Sequence, residues 1–159
     1  IIEKETNLVH SLRLIKSSYP LINFLPQTMP PFPWLQGGRS YHNLLVTLES
    51  ILRISEAVDV HICLDLSHTY MACHYLGADF YSFINSLLSS GIVSHLHASD
   101  SKGVNQEGLQ IGEGDINFGK ISPLFNSKTI TFIPEVWEGH TKNFSGFITS
   151  MNYLTTIFS

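Results

Sequence analysis

Gln27, Asp65, His97 and Glu135 follow one another at separations of 38, 32 and 38 residues. Each falls at or just past the end of a short apolar run, and each separation is about the length of one strand plus its connecting helix. In a parallel barrel, residues at such positions converge on one site at the carboxyl ends of the strands. A carboxylate, an imidazole and a second carboxylate are good ligands for a divalent cation, and a glutamine carbonyl is a weaker one. His68 lies three residues beyond Asp65 in the stretch ICLDLSH and can reach the same cation or one beside it. The plain alternative is that Asp65 caps the helix that follows and His68 sits in a turn. The matching offsets of His97 and Glu135 favour the metal reading.

Other polar residues cluster near these positions. His95 shares a strand face with His97 but lies below the strand end, which suits a core histidine or one that supports a ligand. Asp100 can bind metal, orient His97 through its second nitrogen or cap a turn. Lys102 can meet a substrate phosphate or carboxylate, or stay solvated. In EVWEGH, Glu138 and His140 follow Glu135 on a loop and are candidates for proton transfer. Trp137 offers a flat apolar face for a sugar ring or a base, or equally covers the core. Glu107 and Glu113 flank a glycine-bearing loop and are further candidates to complete the site. His61, inside a strand, reads as structural, and His74 as solvent-facing.

The elements that must position these groups alternate. Apolar runs near 21–25, 58–64, 92–97 and 129–134 read as strands, the last being β-branched and apolar. Helical spacing of apolar residues marks 11–18, 41–56, 79–90 and 144–158, with a short helix near 121–125. The stretch 26–38 carries Pro26, Pro30, Pro31, Pro33, Gly37 and Gly38 and must be irregular, and 99–119 reads as a polar loop. Strands that alternate with helices call for an α/β fold with a parallel sheet. Four such units are half of an eight-stranded barrel or most of an open sheet. No glycine-rich turn follows a strand in the dinucleotide-binding manner.

Length and charge limit the function. The 159 residues are 43% hydrophobic and 14% charged, enough for one domain with a core and too apolar for a disordered chain. Thirteen acidic residues against nine basic ones give a net charge of -4, and no Lys or Arg occurs from Ile54 to Ser101. A polyanion-binding face is not indicated. Cys63 and Cys73 form neither a disulfide scaffold nor a zinc-type pair, so a reducing cytoplasmic setting is expected. No apolar run reaches membrane-spanning length. The first residues, IIEKETNLVH, read as the inside of a longer protein.

The strand-end motifs carry a resemblance. DLSH, Asp65 to His68, resembles the Asp-Thr-x-His of the xylose-isomerase-like barrel superfamily, a group of sugar (phosphate) isomerases and epimerases and type IV apurinic endonucleases. HASDSK, His97 to Lys102, resembles its His-x-x-Asp-Ser-Lys. IGEG, Ile111 to Gly114, resembles its Ile-Gly-x-Gly loop, and Glu135 falls where a terminal-strand glutamate binds metal. The resemblance covers about residues 20–158. It implies the carboxyl-terminal half of a (β/α) TIM barrel, about four βα units, so that residues 1–159 are one partial barrel domain whose amino-terminal half is missing. It also implies metal ligation by Asp65, His68, His97 and Glu135.

Three departures stand out. QTMPP places Gln27 where the family has the glutamate of a Glu-Asn-Met-Pro-Pro-like segment. QEGLQ, Gln106 to Gln110, lacks the Asp-x-His pair of the endonucleases, and the first four strands are absent. The resemblance then implies a sugar or sugar phosphate isomerase or epimerase using Mn, Mg, Co or Zn. Glu135, Glu138 and His140 are the candidate catalytic groups, and Lys102, Trp137 and Gln27 the candidate substrate contacts. Hydrolysis of abasic DNA is the first alternative, disfavoured by charge. A non-catalytic barrel fragment that binds a sugar or a partner chain is the second. A half-barrel leaves exposed sheet edges, so a second half or a homo-oligomer is an expected partner. No nucleic acid or membrane is expected.

Overall fold

The computed structural model describes residues 2–32, 42–125 and 129–158. Its centre is a parallel sheet of three strands in the order β1 (Ile62–Asp65), β2 (Val93–Ala98) and β5 (Thr131–Pro134). All four residues of β1 are buried, because the strand is covered on both faces, as parallel strands usually are. Leu64 and Leu96 pack with Ile84, Leu87, Ile54 and Ile121 into the main core. The register sets Cys63 opposite His95 and Asp65 opposite His97, and then His95 opposite Thr131 and His97 opposite Ile133.

Residues 21–25 do not form the expected strand. Only Gln27 bridges to Cys63 in parallel, with Cys63 N–H donating to Pro26 O at 3.0 Å and Thr28 N–H to Cys63 O at 3.0 Å. Leu21 is 99% exposed, so the apolar run has nothing to pack against among the described residues. Pro26 and Pro30 remove ladder donors on either side of the bridge. The irregular segment expected at 26–38 is seen over 26–32, and its remainder lies outside the described residues.

The helices follow the sequence more closely, with one addition. α1 (Ile2–Ser18) is longer than the stretch from residue 11. α2 (Leu48–Val58) starts at the Thr47 cap, whose side chain accepts from Ser50 N–H, later than the expected 41. Residue 41 itself lies outside the described residues. α3 (Leu66–Leu76) is the helix that the capping alternative for Asp65 required, and it begins at once, so that His68 lies on it and not in a turn. Its buried residues include Leu66, Ser67, Thr69, Met71, Ala72 and Cys73, so no single apolar stripe advertised it. α4 (Phe80–Ser89) buries Phe80, Phe83, Ile84 and Leu87, the stripe the sequence shows.

The stretch 99–119 is not simply a loop. β3 (Asp100–Lys102) and β4 (Gln106–Leu109) form an antiparallel hairpin, followed by the short α5 (Phe118–Ile121) and a 3₁₀ turn at Ser122–Phe125. Asp100, fully buried, explains the order. Its carboxylate accepts from the N–H groups of Ser101 at 2.9 Å, Gly112 at 2.9 Å and Ile116 at 3.0 Å. Gly114 is required beside it, because a Cβ there would lie 2.3 Å from Asp100 Oδ1. α6 (Thr141–Ile157) opens with three residues in the left-handed region, Lys142, Asn143 and Phe144, and packs against β5. Among the described residues no helix is long and apolar enough to cross a membrane.

Candidate metal centre

Three parallel strand ends deliver the site. Asp65 closes β1, His97 lies on β2, and Glu135 follows β5, its N–H donating to Ala98 O at 3.0 Å. Ligand atoms of Asp65, His97 and Glu135 all lie within 4.8 Å of one another. Glu135 Oε2 is 2.6 Å from His97 Nδ1, and Asp65 Oδ2 is 3.9 Å from the same nitrogen. Asp65 is buried and Glu135 is 52% exposed, so the cluster has a closed side and an open side.

Asp65 plays both roles that the sequence offered as alternatives. Its Oδ1 accepts from His68 N–H at 2.8 Å and caps α3. Its Oδ2 is left for Gln27 Nε2 at 2.8 Å and the two histidines. The Thr28 hydroxyl accepts from Asp65 N–H at 2.9 Å and fixes the strand end.

His68 stands beside the trio rather than within it. Its Nδ1 is 3.1 Å from Thr28 O and 3.4 Å from Asp65 Oδ2, and its Nε2 is 3.2 Å from Glu107 Oε2. Glu107, on β4, has this buried oxygen without an aligned hydrogen bond, so its link to His68 is one of charge. Placing Glu107 needed the hairpin, which the sequence did not reveal.

The electrostatics are those of a crowded set of ionisable groups. Burial raises the Asp65 carboxyl to about 6, although His68 pulls it back. Burial works against a His68 cation, yet the Glu107 and Asp65 carboxylates outweigh it and push the imidazole up to about 9. His97 is raised to about 10 by its contacts with the Cys63 thiol and Glu135. Glu135 is held below the usual carboxylate range by His97. The carboxylates favour positive charge on both imidazoles, and a divalent ion held here would balance Asp65 and Glu135 in the same way. Two carboxylates and an imidazole, with the buried Glu107 Oε2 paired by charge to His68 next to them, fit a hard or borderline divalent cation.

A cavity of ≈ 60 Å³ opens on this cluster, lined by Asp65, His68, Glu107, Gly108, Glu135 and Trp137 among others. Pockets that enclose a drug-sized ligand measure roughly 300–1,000 Å³. The cavity therefore suits an ion and water, and a sugar ring would lie over it. Trp137 forms part of its wall, its backbone N–H donating to Gly108 O at 2.8 Å. Gly108 has φ +67°, and a Cβ there would lie 1.7 Å from Trp137 Cδ1, so only glycine lets the indole approach.

The remaining sequence candidates lie outside this cavity. Lys102 is exposed on the hairpin. Asp100, for which three roles stood open, spends its carboxylate on backbone N–H groups. Glu138 is exposed with φ +54°, and its carbonyl accepts from Thr141; His140 is exposed at the start of α6. Glu113 is exposed.

Comparison with known proteins agrees with this architecture. A family model described as xylose isomerase-like TIM barrel matches residues 10–157. The uncharacterized protein MJ1311 of Methanocaldococcus jannaschii is 36% identical over 96 residues, 58% of this chain and 28% of that protein. A crystal structure of a D-tagatose 3-epimerase-like protein superposes with a TM-score of 0.67 at 24% identity, covering 94% of this chain and 51% of the other. The probable 3-DHS dehydratase AsbF of Bacillus anthracis, involved in petrobactin synthesis, superposes with a TM-score of 0.66 at 20% identity, covering 92% and 55%. At these identities the two superpositions establish the fold. The chain spans about half the length of these solved structures and less of the curated relative.

Proposed function

The chain belongs to the xylose isomerase-like TIM barrel family, and from that premise we propose that it acts as a divalent-metal-dependent isomerase or epimerase of a sugar or sugar phosphate. The observation that carries this reading is the convergence of Asp65, His97 and Glu135 at the carboxyl ends of three adjacent parallel strands. Asp65, His97 and Glu135 would hold the cation, with His68 and Glu107 beside them. Bound there, Mn, Mg, Co or Zn would supply Lewis-acid polarisation of a carbonyl and its neighbouring hydroxyl.

The chain's own residues account for the rest. Asp65 is fixed by Thr28, Gln27 and the α3 amide, so it is preorganised and adds little reorganisation cost. Glu135 stays ionised and faces the open side, and a carboxylate has two oxygens, one for a cation and one to take a proton from the carbon next to the carbonyl. The His68–Glu107 pair holds a proton at Nε2 beside the same cavity. Trp137, part of the cavity wall and half-exposed, offers its face to the apolar side of a sugar ring. Lys102, Glu138 and His140 belong to the proposal as outer groups that meet the parts of the substrate beyond the cavity. The net charge of -4 favours a small substrate over DNA.

The test is solvent exchange. The Mn-loaded chain is incubated in D₂O with a panel of ketoses and ketose phosphates. Deuterium entering the carbon beside the carbonyl, and failing to enter with Glu135→Gln, supports the reading. No exchange with any member of the panel, from a chain that binds Mn, refutes it.

A further inference from the structure

One layer below the trio, the same two strands bring together a second ligand set of different chemistry. Cys63 lies two residues before Asp65 and His95 two before His97, so strand alternation puts all four on one face. The register pairs Cys63 directly with His95. Ligand atoms of Cys63, His95 and His97 lie within 4.8 Å of one another. We propose that Cys63, His95 and His97 form a separate site for a soft or borderline metal ion, Zn²⁺ or Cu⁺, sharing His97 with the carboxylate set above.

The surroundings suit that use. Thr131 Oγ1 is 2.7 Å from His95 Nδ1, and Glu135 Oε2 is 2.6 Å from His97 Nδ1. Both rings are therefore anchored through Nδ1, which leaves Nε2 as the ligand, the arrangement by which a hydroxyl or carboxylate fixes the tautomer of a metal-binding histidine. Cys63 is a free, buried thiol placed against imidazoles rather than hydrocarbon. A thiolate and two imidazoles match zinc, with the fourth position open, and a thiolate selects against Mg and Mn. Zinc bonds of ~2.0–2.3 Å need donors roughly 3.3–3.7 Å apart, so small side-chain rotations close the set. Cys73, on α3, belongs to the hydrophobic core instead.

This site does not rest on the proposed reaction, but the two compete for His97. A soft ion on Nε2 keeps the proton on Nδ1 toward Glu135, so that nitrogen is not free for a cation above, and zinc would weaken manganese binding while Asp65 and Glu135 stay intact.

The test uses Co²⁺ as a spectroscopic substitute for zinc on the full chain under reducing conditions. The expected result is a near-ultraviolet thiolate-to-cobalt charge-transfer band, lost in Cys63→Ser and in His95→Gln, and kept in Cys73→Ser and Asp65→Asn. His95→Gln, at a half-exposed position, serves if Cys63→Ser does not fold. No band in the wild-type chain, or a band that survives Cys63→Ser or His95→Gln, overturns the proposal. Failure of manganese binding with the band intact would refute only the carboxylate site.

Discussion

His97 Nδ1 and Glu135 Oε2 meet at 2.6 Å across the β2–β5 boundary, 38 residues apart in the chain. The pair joins the middle of the cluster, next to the buried Asp65, to its open rim. It also couples the protonation of the imidazole to the occupancy of the site, since a bound cation and an imidazolium proton cannot share the same contacts.

That coupling predicts proton release. Without metal, His68 titrates at about 9 and His97 at about 10, so both are protonated at pH 7. A cation needs His97 neutral and repels a proton on His68. Binding in weakly buffered solution at pH 7 should release about one to two protons per chain. Affinity should rise with pH toward 9–10. Calorimetry in buffers of different ionisation enthalpy reads this directly, and an affinity independent of pH from 7 to 9 contradicts it.

The same shifts fix the direction of the metal-free stability curve. The folded-state value of His68 is raised from 6.5 to about 9, so its contribution is fully present below 6.5 and is lost as pH rises through 9. His97 acts in the same sense up to about 10, and Asp65, raised to about 6, does so in a lower window that begins at its ordinary 3.8. Tm in the presence of a chelator should fall steadily from pH 6.5 to 9.5. A rise over that interval would show that these imidazoles are not held as cations in the folded chain.

Gln27→Glu should act in opposite directions on the two forms. Gln27 donates to Asp65 Oδ2, and a glutamate there places a second carboxylate against a buried one. The metal-free chain should lose stability, while Mn²⁺ affinity should rise by about tenfold with the added ligand charge. Parallel thermal melts with chelator and with excess Mn²⁺ give both numbers. Equal shifts in the two melts would mean that Gln27 does not face the cation.

Asp100→Ala should cost about 3 kcal/mol or more in chemical denaturation, because three buried N–H groups lose a charged acceptor. The hairpin that carries Glu107 should loosen first. A loss under about 1 kcal/mol would mean that the loop holds itself without the carboxylate.

Sequence alone carried the β-α alternation and the strand-end offsets, because a strand buried on both faces such as 62–65 leaves a continuous apolar run and the α4 stripe a helical period. It offered α3 only through the Asp65 cap and gave no bounds for it, because the helix is buried around much of its circumference. It did not carry the β3–β4 hairpin, which is ordered by one aspartate rather than by an apolar pattern. Glu107 could be suspected but not placed for that reason. The run at 21–25 misled because apolar residues without partners look the same as a strand in one dimension. Cys63 and His95 were visible as residues, but their proximity depends on register, which only the folded sheet fixes.

The central claim is that Asp65, His97 and Glu135 hold a hard or borderline divalent ion. Equilibrium dialysis against Mn²⁺, followed by metal analysis of the purified chain, tests it most directly. The account predicts about one Mn²⁺ per chain and binding weakened at least about tenfold in Glu135→Gln, a half-exposed position whose change should spare the fold. A chain that takes up no Mn²⁺, or binds it equally well after Glu135→Gln, would contradict it.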